Sequence, residues 1–128
     1  MIAVDTSALM AIALDEPSAD ACEAVLDRET ELLISAGTLA ETLVVAARRD
    51  RLPEVTALVE ELGVTVVPMT AATAYRVSEA YSAWGKGVHP AALNLGDCFA
   101  YALAVEYGCP LLFVGDDFAK TDIMPATE

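Results

Sequence analysis

Basic residues are scarce in this sequence. Seven Lys and Arg stand against 20 Asp and Glu in 128 residues, which gives a formal net charge of −13 at pH 7. A protein that coats nucleic acid without selectivity needs many cationic contacts to phosphate, so this composition excludes that class. It does not exclude a nuclease, because a metal-dependent site needs carboxylates and brings its own cations.

Cysteine and histidine are scarce as well. Cys22, Cys98 and Cys109 form no CxxC pair, and no histidine lies near them in the sequence to complete a zinc set. An odd number of cysteines in apolar surroundings is typical of buried free thiols in a reducing compartment. We therefore expect a cytoplasmic protein without disulfides, and we expect the single histidine, His89, to be a surface loop residue.

Targeting and membrane-spanning patterns are missing too. The chain opens with MIAVDTSALM, without a basic segment or a cleavage site, so we expect no signal peptide. No apolar run reaches about 18 residues without a charge, so we expect no membrane span. Because no repeat, low-complexity tract or long linker divides the chain, we expect residues 1–128 to form a single domain.

What the sequence does contain is apolar material in short alternating segments. Apolar residues make up 55% of the chain, and they predict strands at 1–5, 31–35, 64–67 and 111–114, with a fifth, short edge strand at 121–125. Helices are predicted at 6–14, 17–28, 38–51, 53–63, 70–84 and 97–107. This alternation favours a three-layer α/β/α sandwich with a mostly parallel sheet of four to five strands.

Several acids stand apart from those on ordinary polar helix faces. Asp5 ends an apolar strand, Glu41 interrupts an apolar helix, and Asp97 heads another helix. The pair Asp116 and Asp117 directly follows the apolar strand LLFV. In a parallel α/β fold these positions lie at the edge formed by the carboxyl ends of the strands, so we expect the acids to meet there.

Each acid also has an ordinary structural explanation. Asp5 and Asp97 suit the N-cap of the helix that follows, and the pair 116–117 suits a turn. Glu41 is explained least well, because a carboxylate within an apolar helix is costly unless it is paired or bound. Arg48 lies seven residues further on, which is too far for the usual helical ion pair.

Four converging carboxylates predict a metal site. Two like charges about 4 Å apart repel by about 4 kcal/mol at an effective dielectric constant near 20, so the acids would protonate or separate without a cation. Oxygen donors suit hard ions such as Mg²⁺ or Mn²⁺. Such a site can activate water and stabilise the leaving oxygen in phosphodiester cleavage.

Four segments, MIAVDTSAL, TLAETLVVAARR, LNLGDCFAYALA and LLFVGDDFAKTDI, occur in this order along the chain. Together they resemble PIN-domain ribonucleases, and in particular the VapC-type toxins of bacterial toxin–antitoxin pairs. The resemblance covers essentially the whole chain. It implies a metal-dependent endoribonuclease that hydrolyses RNA with Mg²⁺ or Mn²⁺, forms a homodimer and is held inactive by a cognate antitoxin protein.

The resemblance also implies roles for individual residues. Asp5, Asp97 and Asp117 match the acids that hold the metal ion. Glu41 completes the catalytic set, either by holding a second ion or by orienting the attacking water. Similar proteins often read GNDF where this chain reads GDDF, which favours Asp117 over Asp116 as the fourth acid.

Two questions remain open at this point. Lys86, in a glycine-rich loop, and Lys120, beside the acidic turn, are the candidates for contact with RNA phosphates. The alternative function is a non-catalytic PIN-fold binding module. Such modules usually lose one or more of the acids, whereas all four positions are filled here, so the residues favour an enzyme.

Overall fold

A four-stranded parallel sheet organises the protein. The structure, a computed structural model, describes residues 1–127. Its strands are β1 (Ile2–Val4), β2 (Leu32–Ser35), β3 (Thr65–Val67) and β4 (Leu111–Leu112). They are arranged in the order β3-β2-β1-β4, and all neighbouring strands are parallel. The predicted parallel sheet is therefore confirmed.

Helices connect these strands at nearly all the predicted places. The α-helices are α1 (Thr6–Ala13), α2 (Ala19–Arg28), α3 (Ala36–Arg48), α4 (Leu52–Leu62), α5 (Ala71–Trp84) and α6 (Leu95–Tyr107), and a 3₁₀ turn covers Phe118–Lys120. Their ends differ from the predicted ends by a few residues. For example, α3 begins directly after β2, because the Ser35 side chain accepts a hydrogen bond from the Gly37 N–H and caps the helix there.

The helices cover both faces of the sheet. Ile2, Val4 and Ile34 pack on one face in a core with α1 and α2. Ala3 and Leu33 point to the other face and pack in a core with α5 and α6. Because successive side chains of a strand point to opposite faces, the fully buried strand β1 contributes to both cores. This arrangement confirms the three-layer α/β/α sandwich.

The predicted strand at 121–125 is wrong, because only one isolated parallel bridge forms there, between Pro125 and Leu111. The Leu111 N–H donates to Met124 O and the Ala126 N–H donates to Leu111 O, both at 2.9 Å. β4 has only two residues to offer, and Pro125 lacks the N–H that a longer ladder needs. The described part of the chain therefore contains four strands.

The strand order determines where a site can form. The chain runs from β1 to β2 and β3 on one side of the sheet, and returns to β4 on the other side of β1. Connections therefore diverge between β1 and β4, and open parallel sheets bind ligands outside the carboxyl ends of the strands at such a point. Asp5 directly follows β1, and the turn that contains Asp117 follows β4.

Two further sequence expectations concern the cysteines and membrane spans. Cys22, Cys98 and Cys109 are all buried free thiols, as predicted. Among residues 1–127 no helix combines the length and the apolar character that crossing a membrane requires.

Candidate active site

Asp5 is the most deeply buried of the predicted site acids, with 3% of its surface exposed. It caps α1, as expected: its Oδ2 accepts hydrogen bonds from the Ser7 N–H at 3.0 Å and from the Ser7 hydroxyl at 2.6 Å. Its Oδ1 is buried and has no hydrogen-bond partner within the described residues. Capping therefore explains one oxygen of this carboxylate and leaves the other unexplained.

The electrostatics of Asp5 show that other acids lie near it. Burial raises the pKa of Asp5 from its usual value of 3.8 to about 6. The two Ser7 hydrogen bonds lower this pKa, and the negative charges of Asp97 and Glu41 raise it. The fold thus brings together three carboxylates that are far apart in sequence, and a nearby cation would offset their mutual repulsion.

Glu41 is held between two helices. The Thr6 hydroxyl on α1 donates to Glu41 Oε1 at 2.6 Å. On its other side the carboxylate lies against Gly96 in the first turn of α6, so closely that a Cβ built on Gly96 would overlap Glu41 Oε2. None of the ion pairs in residues 1–127 involves Arg48. Glu41, which the sequence of its apolar helix did not explain, therefore has specific contacts at the carboxyl edge of the sheet.

Asp97 lies at the third position of α6, so the N-cap interpretation of this residue is wrong. Asn94 is the N-cap: its Oδ1 accepts from the Asp97 N–H at 2.8 Å, and Asp97 Oδ2 accepts from the Asn94 N–H at 3.0 Å. This reciprocal pair is a capping box. Burial raises the pKa of Asp97, the Asn94 hydrogen bond lowers it, and the charges of Asp117 and Glu41 raise it.

The acidic turn after β4 contributes one charge to this group. Asp116 and Asp117 are both exposed, but of the two only Asp117 is among the causes that raise the pKa of Asp97. Phe118, which is 3% exposed, packs into the core behind this turn and anchors it. The effect of its charge on Asp97 thus favours Asp117 over Asp116 as the fourth acid.

The donor set is chemically suited to a divalent cation. All four acids offer carboxylate oxygens, which Mg²⁺ and Mn²⁺ prefer, and the buried Oδ1 of Asp5 has no other partner within the described residues. The ligands are not preassembled: as the side chains of residues 1–127 stand, no three Asp, Glu, His or Cys groups are arranged to hold one ion. Capping bonds engage the Oδ2 atoms of Asp5 and Asp97.

The two predicted RNA-binding lysines lie on separate segments, and both are exposed. Lys120 ends the 3₁₀ turn that follows Asp117. Lys86 lies in the loop after α5, where its N–H donates to Leu93 O at 2.9 Å. Neither lysine belongs to an ion pair within residues 1–127, so both ammonium groups are open to solvent.

Two aromatic side chains near this loop have structural partners. Trp84 is half-buried and its indole N–H donates to the Tyr101 hydroxyl at 2.9 Å. His89 packs edge-on against the Trp84 ring, at 4.7 Å between centroids, and its Nδ1 accepts from the Ala91 N–H. His89 therefore lies in the loop, as expected, but it is half-buried through these contacts.

The local sequence pattern did not single out three residues of this site. Thr42 lies 2.9 Å from the Thr6 hydroxyl and donates to Thr38 O at 2.8 Å. Asn94 caps α6, and Gly96 makes room for Glu41. A signal was present for Asn94, since N-L-G-D has the polar residues of a capping box at the required spacing. The contacts of Thr42 and Gly96 with the site depend on other elements.

Comparison with known proteins identifies the family. A family model described as "PIN domain" matches residues 2–124. The chain belongs to the PIN-domain family. Among curated PIN-domain relatives, Ribonuclease VapC42 of Mycobacterium tuberculosis is 44% identical over 96% of this chain and 97% of its own length. Ribonuclease VapC30 of the same species is 42% identical over 94% of each chain. The predicted resemblance to VapC ribonucleases is therefore confirmed.

Solved structures agree with this family assignment. A crystal structure of Mycobacterium tuberculosis VapC20, described as a sarcin-ricin loop cleaving toxin, matches all of this PIN-domain chain with a TM-score of 0.81 at 17% identity, over its own full length. A toxin–antitoxin complex from Klebsiella pneumoniae matches 95% of this chain and 93% of its own, with a TM-score of 0.69 at 17% identity. At these identities the two likenesses show the fold.

Proposed function

We propose that this PIN-domain chain is a metal-dependent endoribonuclease and the toxin component of a toxin–antitoxin pair. The observation that carries the proposal is the buried Oδ1 of Asp5, which has no hydrogen-bond partner within residues 1–127. Asp97 and Glu41 lie close enough for their charges to raise the pKa of Asp5. The curated relatives, which are named as VapC ribonucleases at 42–44% identity, support the same reaction class.

Asp5, Asp97 and Asp117 would hold Mg²⁺ or Mn²⁺ in this site. A bound divalent ion lowers the pKa of a water molecule and offsets the charge that develops on the scissile phosphate. Hydrogen bonds within the chain restrain two of these acids: Ser7 fixes one oxygen of Asp5, and Asn94 fixes one oxygen of Asp97. The other oxygen of each carboxylate would face the ion, and the side chains would still have to close around it.

Glu41 has a separate role in the proposed mechanism. The Thr6 hydroxyl fixes its Oε1, which leaves Oε2 facing the first turn of α6. From that position Glu41 would orient the attacking water or help to hold a second ion. The proposed mechanism uses no histidine. The single histidine, His89, is hydrogen-bonded within its own loop.

The proposed substrate is RNA, held through few cationic contacts. The net charge of −13 repels a polyanion over most of the surface, so the exposed Lys86 and Lys120 are the proposed phosphate contacts. Lys120 is three residues from Asp117 in sequence, which favours contact close to the scissile bond.

The proposed partners are an antitoxin and a second copy of this chain. One structural neighbour is a toxin–antitoxin complex, and the acidic surface suits an antitoxin segment with basic residues. The exposed side chains of Val44 and Leu95, at 59% and 60%, lie on neighbouring helices α3 and α6 and favour burial in a homodimer. We further propose that residues 1–128 act as one domain in the cytoplasm, where free thiols persist.

The experiment compares the chain with its Asp97→Asn variant in cells and in purified form. The 5′ ends of cellular RNA are sequenced after each is expressed alone, and the purified proteins are then incubated with that RNA and Mg²⁺, Mn²⁺ or a chelator. New ends that require both Asp97 and a divalent ion support the ribonuclease. Identical RNA ends from both chains would instead favour the binding module, whose partner a pull-down would then seek.

A further inference from the structure

Gly96 stands where the first turn of α6 meets the Glu41 carboxylate. A Cβ built on Gly96 would overlap Glu41 Oε2, and would lie 2.5 Å from Glu41 Cδ and 3.0 Å from Oε1. Any other residue at position 96 would therefore displace this carboxylate. Because a carboxylate is the flexible end of its side chain, the displacement would move Glu41 rather than the helix.

The opposite side of Glu41 is also closed. The Thr6 hydroxyl donates to Oε1 at 2.6 Å and lies 2.9 Å from the Thr42 hydroxyl. Thr6 is 8% exposed and Thr42 is fully buried. The carboxylate therefore sits in a socket between α1 and α6, which we define as Thr6, Thr42 and Gly96.

The backbone itself does not require glycine at position 96. Gly63 and Gly108 have positive φ angles and end helices α4 and α6, which is a conformation that favours glycine. Gly96 has no positive φ and lies in the first turn of a helix, where alanine is the more favourable residue. What glycine provides here is space for Glu41.

We propose that Gly96 is a positioning residue of the ribonuclease, which lets Glu41 lie beside Asp97 and contribute to divalent-cation binding. This inference rests on the proposed function and deepens it. The negative charge of Glu41 is among the causes that raise the pKa values of both Asp5 and Asp97, which supports its close placement. A side chain at position 96 would displace that charge from its present position.

The test is a double-mutant cycle between Gly96→Ala and Glu41→Ala. Three quantities are measured for each protein: Mn²⁺ affinity by calorimetry, the thermal unfolding midpoint without metal, and kcat and KM for cleavage of an RNA that the unmutated chain cuts. We expect Gly96→Ala to weaken Mn²⁺ binding about tenfold and to lower kcat by about the same factor, with little change in KM. The unfolding midpoint should stay constant or rise, since alanine favours the helix.

The cycle separates positioning from a structural effect. If Gly96 acts through Glu41, Gly96→Ala changes neither Mn²⁺ affinity nor kcat further once Glu41 is alanine. Gly96→Ala combined with Glu41→Asp should recover part of the lost Mn²⁺ affinity, because the shorter side chain leaves room for the new methyl group. Unchanged Mn²⁺ affinity in Gly96→Ala, or additive losses in the Glu41→Ala background, would overturn the proposal.

The same measurements distinguish failure of this inference from failure of the proposed function. If the unmutated chain cleaves no cellular RNA with Mg²⁺ or Mn²⁺, the proposed ribonuclease function is wrong. The Mn²⁺ cycle needs no substrate, so it would still decide whether Gly96 positions Glu41.

Discussion

Helices α5 and α6 begin with the same hydrogen-bonding arrangement but with different charges. Thr70 and Thr73 exchange side-chain and backbone bonds at the start of α5, and Asn94 and Asp97 do so at the start of α6. The α5 pair is neutral, and the bonds of both pairs are exposed. In the α6 pair the third residue is a carboxylate with a pKa raised by burial and by neighbouring acids. The two helix starts therefore share their capping geometry and differ in the charges around it.

The most severe test of this comparison is to remove the charge of α6 and keep its capping box. Asp97→Asn retains an oxygen that accepts from the Asn94 N–H. We expect cleavage of RNA to fall about a thousandfold, which corresponds to about 4 kcal/mol of transition-state stabilisation. Stability should not fall, because the raised pKa of Asp97 means that the fold disfavours its charge. Initial rates at saturating Mn²⁺ and urea unfolding measure the two effects.

Thr73→Ala is the matched change at the start of α5. It removes the side chain at the third helical position without touching a site acid, so cleavage should stay at the unmutated rate. Equal losses of activity in Asp97→Asn and Thr73→Ala would show that the charge at the start of α6 has no special role in catalysis.

A third helix start, that of α1, extends the comparison to stability. The raised pKa of Asp5, from 3.8 to about 6, means that the folded protein binds this proton more tightly than the unfolded chain does. The resulting stabilisation is fully present below about pH 4 and is lost as the pH rises through about 6, up to about 3 kcal/mol by pH 7. The metal-free protein should therefore become less stable from pH 4 to pH 7 on account of this group.

Asp5→Asn should remove that loss, because asparagine caps a helix as well as aspartate does and carries no charge. We expect the variant to gain about 3 kcal/mol in free energy of unfolding at pH 7 in the presence of a chelator, and to lose cleavage. Urea unfolding between pH 4 and pH 7 measures it. A pH dependence identical to that of the unmutated chain would show that Asp5 is not the group responsible.

A smaller effect is expected from the body of α6, one turn beyond Asp97. The Tyr101 hydroxyl accepts from the Trp84 indole N–H at 2.9 Å and donates to Asp122 Oδ1 at 2.6 Å. It thereby joins the end of α5 to the segment after the acidic turn. Tyr101→Phe should cost about 1–2 kcal/mol of stability, since it leaves the half-buried indole N–H without its acceptor. Thermal unfolding measures this cost.

If Tyr101 only joins these segments, the variant should keep most of its cleavage rate at a temperature well below its unfolding midpoint. A loss as large as that of Asp97→Asn would instead place the middle of α6 within the catalytic machinery, and the contrast between its first turn and its body would disappear.

The smallest effect belongs to the neutral helix start. Thr70→Ala removes the N-cap oxygen that accepts from the Thr73 N–H at 3.3 Å, so we expect a loss of about 1 kcal/mol in stability. Cleavage and its Mn²⁺ dependence should not change. Urea unfolding and a Mn²⁺ titration of the cleavage rate check both statements, and a shifted Mn²⁺ titration would contradict the assignment of a purely structural role to α5.

Much of the fold was predictable because it depends on local periodicity. Apolar runs and helical spacing located the four strands and the six helices, and the alternation predicted the parallel sandwich. The segment at 121–125 was predicted wrongly, since a short apolar run cannot show how much of its neighbour is available for pairing. The neighbouring strand, β4, has only two residues available for pairing.

The acids of the candidate site could be predicted from the sequence. The residues that position these acids were harder to predict. Asp5 and Glu41 stood out from their surroundings in the sequence. The bond from Thr6 to Glu41 spans 35 residues, and the space that Gly96 leaves for the carboxylate exists only once α3 and α6 pack together. These contacts follow from tertiary structure, which no local pattern encodes. The catalytic assignment of the four acids remains a prediction.

The bridge between Leu111 and Pro125 has a consequence for solubility. β4 is an edge strand of apolar residues, and such edges invite pairing with strands of other molecules. The segment around Pro125 occupies this edge, and proline offers no N–H to an incoming strand. A chain truncated before residue 124 should expose the edge and aggregate at concentrations where the full chain stays dispersed, so affinity tags belong after this segment and not in its place.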